Sequence, residues 1–211
     1  MKIGISARRD KKRYFVNQSY LVLFNKEIVP IFLFSQNMDE LLVLCDGFII
    51  LGGDDINPSL YNEENISSNN IDDGIDELDF KILRYSIKNK KPVLGICRGI
   101  QSVNVFFKGS LLQDIVHKEI YHEVKIINNS KYLPCIRKNK KEIVNSYHHQ
   151  AINILGKNLV LLGKSNDIIE IVEHKYYPII GVQWHPELML NEFNNNLIKD
   201  FFYLVKEKYV R

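Results

Sequence analysis

Residues 92–104 read PVLGICRGIQSVN, and they join a short apolar run to a segment with helical spacing through a turn that holds Cys97. A second run, residues 46–51, is nearly all apolar and ends in Gly52-Gly53. Strands without polar alternation are typical of a parallel sheet that helices cover on both faces. These two stretches therefore predict an α/β fold built on a mostly parallel central sheet.

The first half of the chain alternates strands with helices, as such a sheet requires. The pattern predicts strands over 2–6, 28–34, 46–51 and from 92, and helices over 14–26, 38–44 and 75–89. Beyond about residue 120 the strand-like segments are 124–127, 143–145, 159–162, 168–173 and 179–183. Their close spacing predicts antiparallel strands added at one edge of the sheet, and a helix over about 190–209 closes a single domain, residues 1–211.

Composition narrows the classes of function. The 211 residues carry a net charge of +3, and this basic excess is small and scattered, which argues against a nucleic-acid partner. The densest basic run, residues 137–141, is interpreted as a solvated loop, and the polar stretch 62–73 is expected to be the most mobile loop. No apolar stretch approaches the length of a membrane span, and the amino terminus does not resemble a signal peptide. We therefore expect no membrane partner and a cytoplasmic protein.

Cysteine usage agrees with a reducing compartment. Three cysteines, Cys45, Cys97 and Cys135, occur without CxxC spacing, which argues against a disulfide framework and against a cysteine-rich zinc site. Cys97 lies in a G-x-C-x-G pattern that is typical of a nucleophile held on a strand-to-helix turn. The alternative is a buried structural cysteine, and the pattern alone does not decide between them.

Two further features follow predicted strands and supply what a thiolate nucleophile needs. His185 could act as a base, and Glu187, two residues on in an extended segment, would project to the same side and orient it. Backbone amides at Arg98 and in the Gly52-Gly53 turn could hold an oxyanion. The alternatives are solvated side chains around a proline and a simple tight turn. All three features fall at the carboxyl ends of strands, where open α/β sheets bind ligands.

Five motifs give this arrangement a family resemblance. They are GGDDINPSLY at 52–61, PVLGICRGIQ at 92–101, GSLLQD at 109–114, NSYHHQA at 145–151 and GVQWHPE at 181–187. In this order they resemble the class I glutamine amidotransferase-like family, and within it the γ-glutamyl-GABA hydrolase (peptidase C26) branch. The resemblance implies a flavodoxin-like doubly wound sheet flanked by helices.

The resemblance also implies a reaction and its residues. It implies a catalytic triad of Cys97, His185 and Glu187 that cleaves the γ-glutamyl amide of a small γ-glutamyl compound through a thioester, with water as the second substrate. It implies an oxyanion hole made by the amides of Gly53 and Arg98, and no metal or organic cofactor. The positions that match the glutamyl pocket are Gln101, Ser146, Tyr147, His148 and His149. Adjacent histidines on a strand point to opposite faces, so His148 and His149 are not expected to bind a metal together.

Two alternatives to a stand-alone hydrolase stay open. The same triad would serve a glutaminase subunit that supplies ammonia to a separate synthase partner, and a degenerate family member could bind γ-glutamyl compounds without catalysis. A homodimer is also left open. Departures from the family pattern at 25–27, 107–109 and 167–170 lie in turns and pocket walls, so they concern the leaving group rather than the nucleophile.

Overall fold

A computed structural model describes residues 1–36, 38–115 and 121–209 of the chain, without the side chains of residues 208 and 209. The strands are β1 Lys2–Ser6, β2 Arg8–Arg9, β3 Tyr14–Phe15, β4 Val29–Leu33, β5 Gly47–Ile50, β6 Val93–Ile96, β7 Leu111–Leu112, β8 Tyr121–Ile126, β9 Lys141–Asn145, β10 Ala151–Ile152, β11 Leu159–Ser165, β12 Ile168–His174 and β13 Ile179–Val182. The α-helices are α1 Met38–Leu42, α2 Asp73–Asn89, α3 Arg98–Phe106 and α4 Glu192–Tyr209.

Nine of these strands form one sheet in the order β4-β1-β5-β6-β13-β12-β11-β8-β9. The first five are parallel, and their order is that of a flavodoxin-like doubly wound sheet. The last four are antiparallel and extend the sheet from β13. The predicted fold, including its antiparallel edge, is therefore confirmed.

Two apolar clusters cover the two faces of this sheet. One contains Ile5, Ile49 and Ile96 from the parallel strands, together with residues of α4. The other contains Phe48 and Val93, together with residues of α1, α2 and α3. Successive residues of a strand point to opposite faces, so a strand covered on both faces needs apolar residues throughout. This explains the runs that lack polar alternation.

The helix predicted over residues 14–26 is wrong. Residues 14–15 instead form strand β3, which pairs with β2 in a short antiparallel hairpin, and a 3-10 helix follows over Gln18–Leu23. Tyr20 and Leu23 of this segment are buried beside the site and the core. Their helical spacing therefore reflects tertiary contacts, while the aromatic and β-branched run at 14–16 favours a strand.

The loop predicted to be mobile is held by side-chain hydrogen bonds. The Gln113 side-chain oxygen accepts the amides of Ile66 and Ser67 at 2.9 and 3.2 Å, and Gln150 donates to the Ser68 hydroxyl at 2.9 Å. Within the described ranges, no helix is long and apolar enough to cross a membrane. The basic run 137–141 is exposed, as predicted.

Candidate active site

Three neighbouring strands bring the predicted site together. β5, β6 and β13 are adjacent and parallel, so their carboxyl ends lie side by side. Gly52-Gly53 follows β5, Cys97 follows β6, and His185 follows β13. Turns that are 44 to 133 positions apart in the sequence thereby meet at one edge of the sheet.

The turn at Cys97 has the geometry of a nucleophile elbow. Cys97 has φ 53° and ψ −105°, a conformation that residues with a Cβ rarely adopt. Its amide donates to the Val182 carbonyl at 2.9 Å, and α3 begins at the next residue. A Cβ on Gly99 would lie 2.3 Å from the Ile50 carbonyl oxygen, so only glycine lets α3 start this close to β5. The cysteine side chain sits at the positive end of α3, 6% exposed.

His185 lies between Glu187 and Cys97. Its Nδ1 is 2.6 Å from Oε1 of Glu187, a carboxylate whose side chain is 1% exposed. The ring is also hydrogen-bonded to the Cys97 side chain, which leaves Nε2 as the atom that faces the sulfur. Residues 186–188 form a 3-10 turn rather than an extended segment, yet the predicted contact between His185 and Glu187 is made.

The surroundings of His185 favour its protonated form. Burial by itself lowers the pKa of His185, but the hydrogen bonds and charges of Cys97 and Glu187 outweigh burial and raise it to about 10. A protonated ring placed here can donate to the Cys97 sulfur on one side, and Glu187 fixes its orientation on the other.

The amides of Gly53 and Arg98 are both available as donors. Neither donates a hydrogen bond to a partner within the described part of the chain. Gly52 has a different role, since its amide donates to the Tyr20 hydroxyl at 3.0 Å. A Cβ on Gly52 would lie 2.8 Å from both His185 Cε1 and the Tyr20 hydroxyl, so this turn needs glycine for close approach.

A buried network of ion pairs joins the turn that follows β5 to the turn that follows β6. The Asp79 carboxylate, fully buried, accepts from the guanidinium of Arg8 at 3.0 Å and also from Arg98. Arg8 donates in turn to the carbonyls of Leu51 and Gly52. Arg98 also pairs with Asp76, whose pKa burial raises to about 6 against the opposing charge of Arg98. The side chain of Arg98 is therefore held by two carboxylates, and its backbone amide takes no part in this network.

Gln101, predicted to line the glutamyl pocket, is 3% exposed and lies behind Cys97. Its side-chain amide donates to the Gln150 carbonyl at 3.1 Å and to the Gln183 side chain at 3.4 Å. Gln183 donates to the Cys97 sulfur at 3.8 Å. The structure thus connects Gln101 to the nucleophile through Gln183, and a contact of Gln101 with substrate stays a prediction.

The other predicted pocket residues follow β9, and their side chains contact different parts of the molecule. Tyr147 is 57% exposed and its ring meets the His185 ring edge-on at 6.0 Å. His149 Nε2 lies 2.9 Å from a carboxylate oxygen of Asp55, while the buried His148 side chain lies 3.9 Å from Glu170. Ser146, between β9 and Tyr147, is half-buried. His148 and His149 point in different directions, and their roles toward substrate stay predictions.

Sequence reasoning missed two residues that hold His185. The Asn145 side chain accepts the His185 amide at 2.9 Å and donates to the His185 carbonyl at 2.7 Å. Asn145 is the first residue of the NSYHHQA motif, so the sequence does carry a signal for it. Tyr20 lies 3.5 Å from His185 Nδ1, and burial raises the pKa of Tyr20 far above its usual value, so it stays a neutral phenol. No sequence signal marks it.

A cavity of about 250 Å³ opens beside these groups. The side chains and backbone that line it include Gly52, Gly53, Tyr20 and His185 of the site, Arg9, Phe15 and Asn17 of the hairpin region, and Asp54, Asp55 and Asp72. In residues 1–36, 38–115 and 121–209, no three His, Cys, Asp or Glu side chains are grouped so that they could hold a metal ion. The arrangement supplies a thiol, a paired imidazole and two free amides beside a polar cavity.

Comparison with known proteins identifies related chains. The sequence model of the Peptidase C26 family matches residues 4–187. The glutamine amidotransferase-like protein YvdE of Lactococcus lactis is 33% identical over 171 residues, which cover 72% of this chain and 70% of that protein. The γ-glutamyl-CDP-amidate hydrolase of Campylobacter jejuni is 29% identical over 221 residues, covering 98% of this chain and 100% of that protein.

Solved structures show the same fold. The crystal structure of a glutamine amidotransferase from Thermotoga maritima superposes with a TM-score of 0.64. The superposition covers 100% of this chain and 86% of the other, at 16% identity. At this identity the similarity establishes the architecture alone.

Proposed function

This chain belongs to the peptidase C26 branch of the class I glutamine amidotransferase-like family, and from that premise we propose that it hydrolyses the γ-glutamyl amide of a small γ-glutamyl compound through a thioester on Cys97. The observation that carries the proposal is the placement of Cys97 on an elbow against the His185–Glu187 pair, with two free amides beside it. Family membership makes a C–N hydrolase the expected class, and this geometry supplies the groups.

The reaction would proceed in two halves. The Cys97 thiolate attacks the γ-carbonyl carbon, and the amides of Gly53 and Arg98 hold the oxyanion that forms. As the C–N bond breaks, His185 gives its proton to the departing nitrogen, and a γ-glutamyl thioester remains on Cys97. Water then attacks the thioester and gives its proton to His185, the C–S bond breaks, and release of glutamate restores the Cys97 thiolate beside the protonated His185. Glu187 keeps the ring in the orientation that both transfers need.

Substrates of the proposed reaction differ in the nitrogen compound that leaves. The name of the Campylobacter relative specifies a γ-glutamyl-CDP-amidate as the substrate of that protein. The simplest members of the class of substrates that we propose for this chain are a γ-glutamyl-GABA-like amide and glutamine. We propose a reducing cytoplasm as the setting, since all three cysteines are free and the reaction needs a free thiol.

Incubation of the purified chain with a panel of γ-glutamyl amides tests the proposal. Released glutamate is expected for at least one member with the wild-type chain and for none with Cys97→Ala. Hydroxylamine added during turnover should divert product to γ-glutamyl hydroxamate, because it intercepts the thioester. Absence of turnover on every amide, with identical behaviour of Cys97→Ala, would refute a stand-alone hydrolase. Glutaminase activity that appears only with a co-purifying synthase would indicate the alternative of an ammonia-supplying subunit.

Labelling by iodoacetamide tests the state of the thiol independently of substrate. Burial raises the pKa of Cys45 to about 12 and raises that of Cys135 as well, so neither should react quickly at neutral pH. Peptide mapping after brief labelling should show modification at Cys97 first. Equal labelling of all three cysteines would contradict an activated thiolate.

A further inference from the structure

We infer that the nitrogen compound released from Cys97 joins a flat apolar part to an anionic group, and that the β2–β3 hairpin and the groove beside it bind those two parts. The inference rests on the proposed function, because it concerns the leaving group of that reaction. It goes beyond that function by naming the chemical class of the leaving group and the surface that selects it.

The groove is a second cavity, of about 290 Å³, lined almost entirely by apolar and aromatic side chains. Tyr14 and Phe15 of the hairpin form one wall, and Leu21, Phe32 and Phe34 form much of the rest. Leu21 and Phe32 are each 43% exposed, so part of this apolar lining faces the solvent. Four of the lining side chains are aromatic, and such a lining fits a flat apolar group.

The groove adjoins the catalytic cavity at Phe15. The Phe15 side chain lines both cavities, so a molecule that reaches from His185 past this side chain would meet the groove. Together the two cavities fall within the range of roughly 300–1,000 Å³ that small-molecule sites occupy. A γ-glutamyl amide bound at Cys97 therefore has room for a large leaving group on this side.

The hairpin surrounds this junction with positive charge. Residues 8–13 read RRDKKR, with five basic residues against one acid, and all but the buried Arg8 are exposed. The Arg9 guanidinium lies 5.9 Å from the Tyr14 ring centre, and the Arg13 guanidinium lies 5.8 Å from that of Phe15. These contacts place two guanidinium groups beside the aromatic side chains of the hairpin, next to the junction at Phe15.

Two of the basic residues of the hairpin are already paired with acids. Asp10 pairs with Arg13, and Asp72 pairs with Arg9. Asp54, on the side of the catalytic cavity, accepts a hydrogen bond from the neutral side chain of Asn70. Lys11 and Lys12 make no ion pair with any described residue. The unpaired charges of the hairpin are therefore those of Lys11 and Lys12, and they complement an anionic leaving group such as a carboxylate, a phosphonate or a nucleoside diphosphate.

Two anilide substrates with the same scissile bond separate the effect of charge on the leaving group from the reactivity of the amide. The first is γ-glutamyl-anilide, and the second is the γ-glutamyl amide of 4-aminobenzylphosphonate, which adds a dianion to the same ring. We expect kcat/KM for the phosphonate to exceed that for the anilide at least tenfold, with the difference in KM. Raising the salt concentration should reduce the advantage, because the attracting charges are exposed.

Variants of the hairpin and groove identify the binding surface. Arg13→Ala and the double variant Lys11→Ala/Lys12→Ala should each raise the KM for the phosphonate relative to the anilide, and Phe32→Ala should raise the KM for both anilides relative to γ-glutamyl-ethylamide. Lys138→Ala is the matched control, since it removes one exposed charge in the loop before β9, at the opposite edge of the sheet from β4. It should leave both ratios unchanged.

The outcomes separate this inference from the proposed function. Hydrolysis of γ-glutamyl-ethylamide with no preference for the phosphonate, or a preference that survives the hairpin variants, would overturn the inference and leave the proposed hydrolase function intact.

If no amide is hydrolysed, calorimetry with benzylphosphonate and cytidine diphosphate still tests whether the groove binds such a leaving group. Binding that Arg13→Ala weakens at least fivefold supports the groove, and tighter binding of the nucleotide identifies a nucleotidyl leaving group. A dimer that Phe32→Ala dissociates, without any change in KM, would assign the groove to a second copy of the chain and overturn the inference.

Discussion

Replacing Cys97 by glycine should leave the protein more stable than replacing it by alanine. Both substitutions remove the thiol and its contact with His185, so those losses cancel in the comparison. They differ at the backbone, because alanine keeps the Cβ that opposes φ 53° and ψ −105° whereas glycine adopts this conformation freely.

The size of the difference follows from two opposing effects. A residue with a Cβ in such a conformation costs about 1–3 kcal/mol, and glycine loses roughly 0.5–1 kcal/mol more chain entropy than alanine on folding. The net advantage of Cys97→Gly is therefore about 1 kcal/mol. For a chain of this length that corresponds to a melting temperature about 3 °C above that of Cys97→Ala.

Thermal unfolding followed by circular dichroism measures this difference directly. Cys45 provides the matched control, since it is also buried and does not have a positive φ. There the order should reverse, with Cys45→Gly less stable than Cys45→Ala. If Cys97→Ala equals or exceeds Cys97→Gly in melting temperature, the elbow does not store the strain that we assign to it.

Three further variants test the surroundings of the thiol. Tyr20→Phe removes the acceptor of the Gly52 amide and should lower kcat/KM by about tenfold with little change in KM, as steady-state kinetics would show; an unchanged kcat would argue against a positioning role. Asp79→Asn removes the carboxylate that two buried arginines share and should lower the free energy of unfolding by about 3 kcal/mol in urea titrations, whereas a loss below 1 kcal/mol would contradict the network. The pKa of His185 is higher in the folded chain, about 10, than its ordinary value, so its contribution to stability is complete at low pH and is lost as pH rises toward 10. The free energy of unfolding of the wild type should therefore fall relative to that of His185→Asn between about pH 6.5 and 10, and parallel pH profiles would refute this.

The strands of the central sheet and the meeting of the three turns that follow them could be predicted from the sequence. Apolar runs at 46–51 and 92–96 have to be buried on both faces, and that requirement alone selects a parallel sheet with helices on each side. Parallel strands end at one edge, so the turns that hold Cys97, Gly52 and His185 had to converge. The helix predicted over residues 14–26 is wrong for a different reason. The apolar residues there have helical spacing because they contact distant parts of the molecule, and not because the segment is a helix.

The sequence by itself determined which reactive side chains follow the ends of the strands. The positions of strand ends and turns depend mainly on local backbone requirements, which the sequence shows directly. Only the tertiary structure decided how those groups are held. The Tyr20 hydroxyl at Gly52, the Asp79 carboxylate between Arg8 and Arg98, and the Gln101–Gln183 contact behind Cys97 all join distant segments. The direction of a long side chain depends on which neighbours fill the space around it, and that packing exists only after the chain has folded.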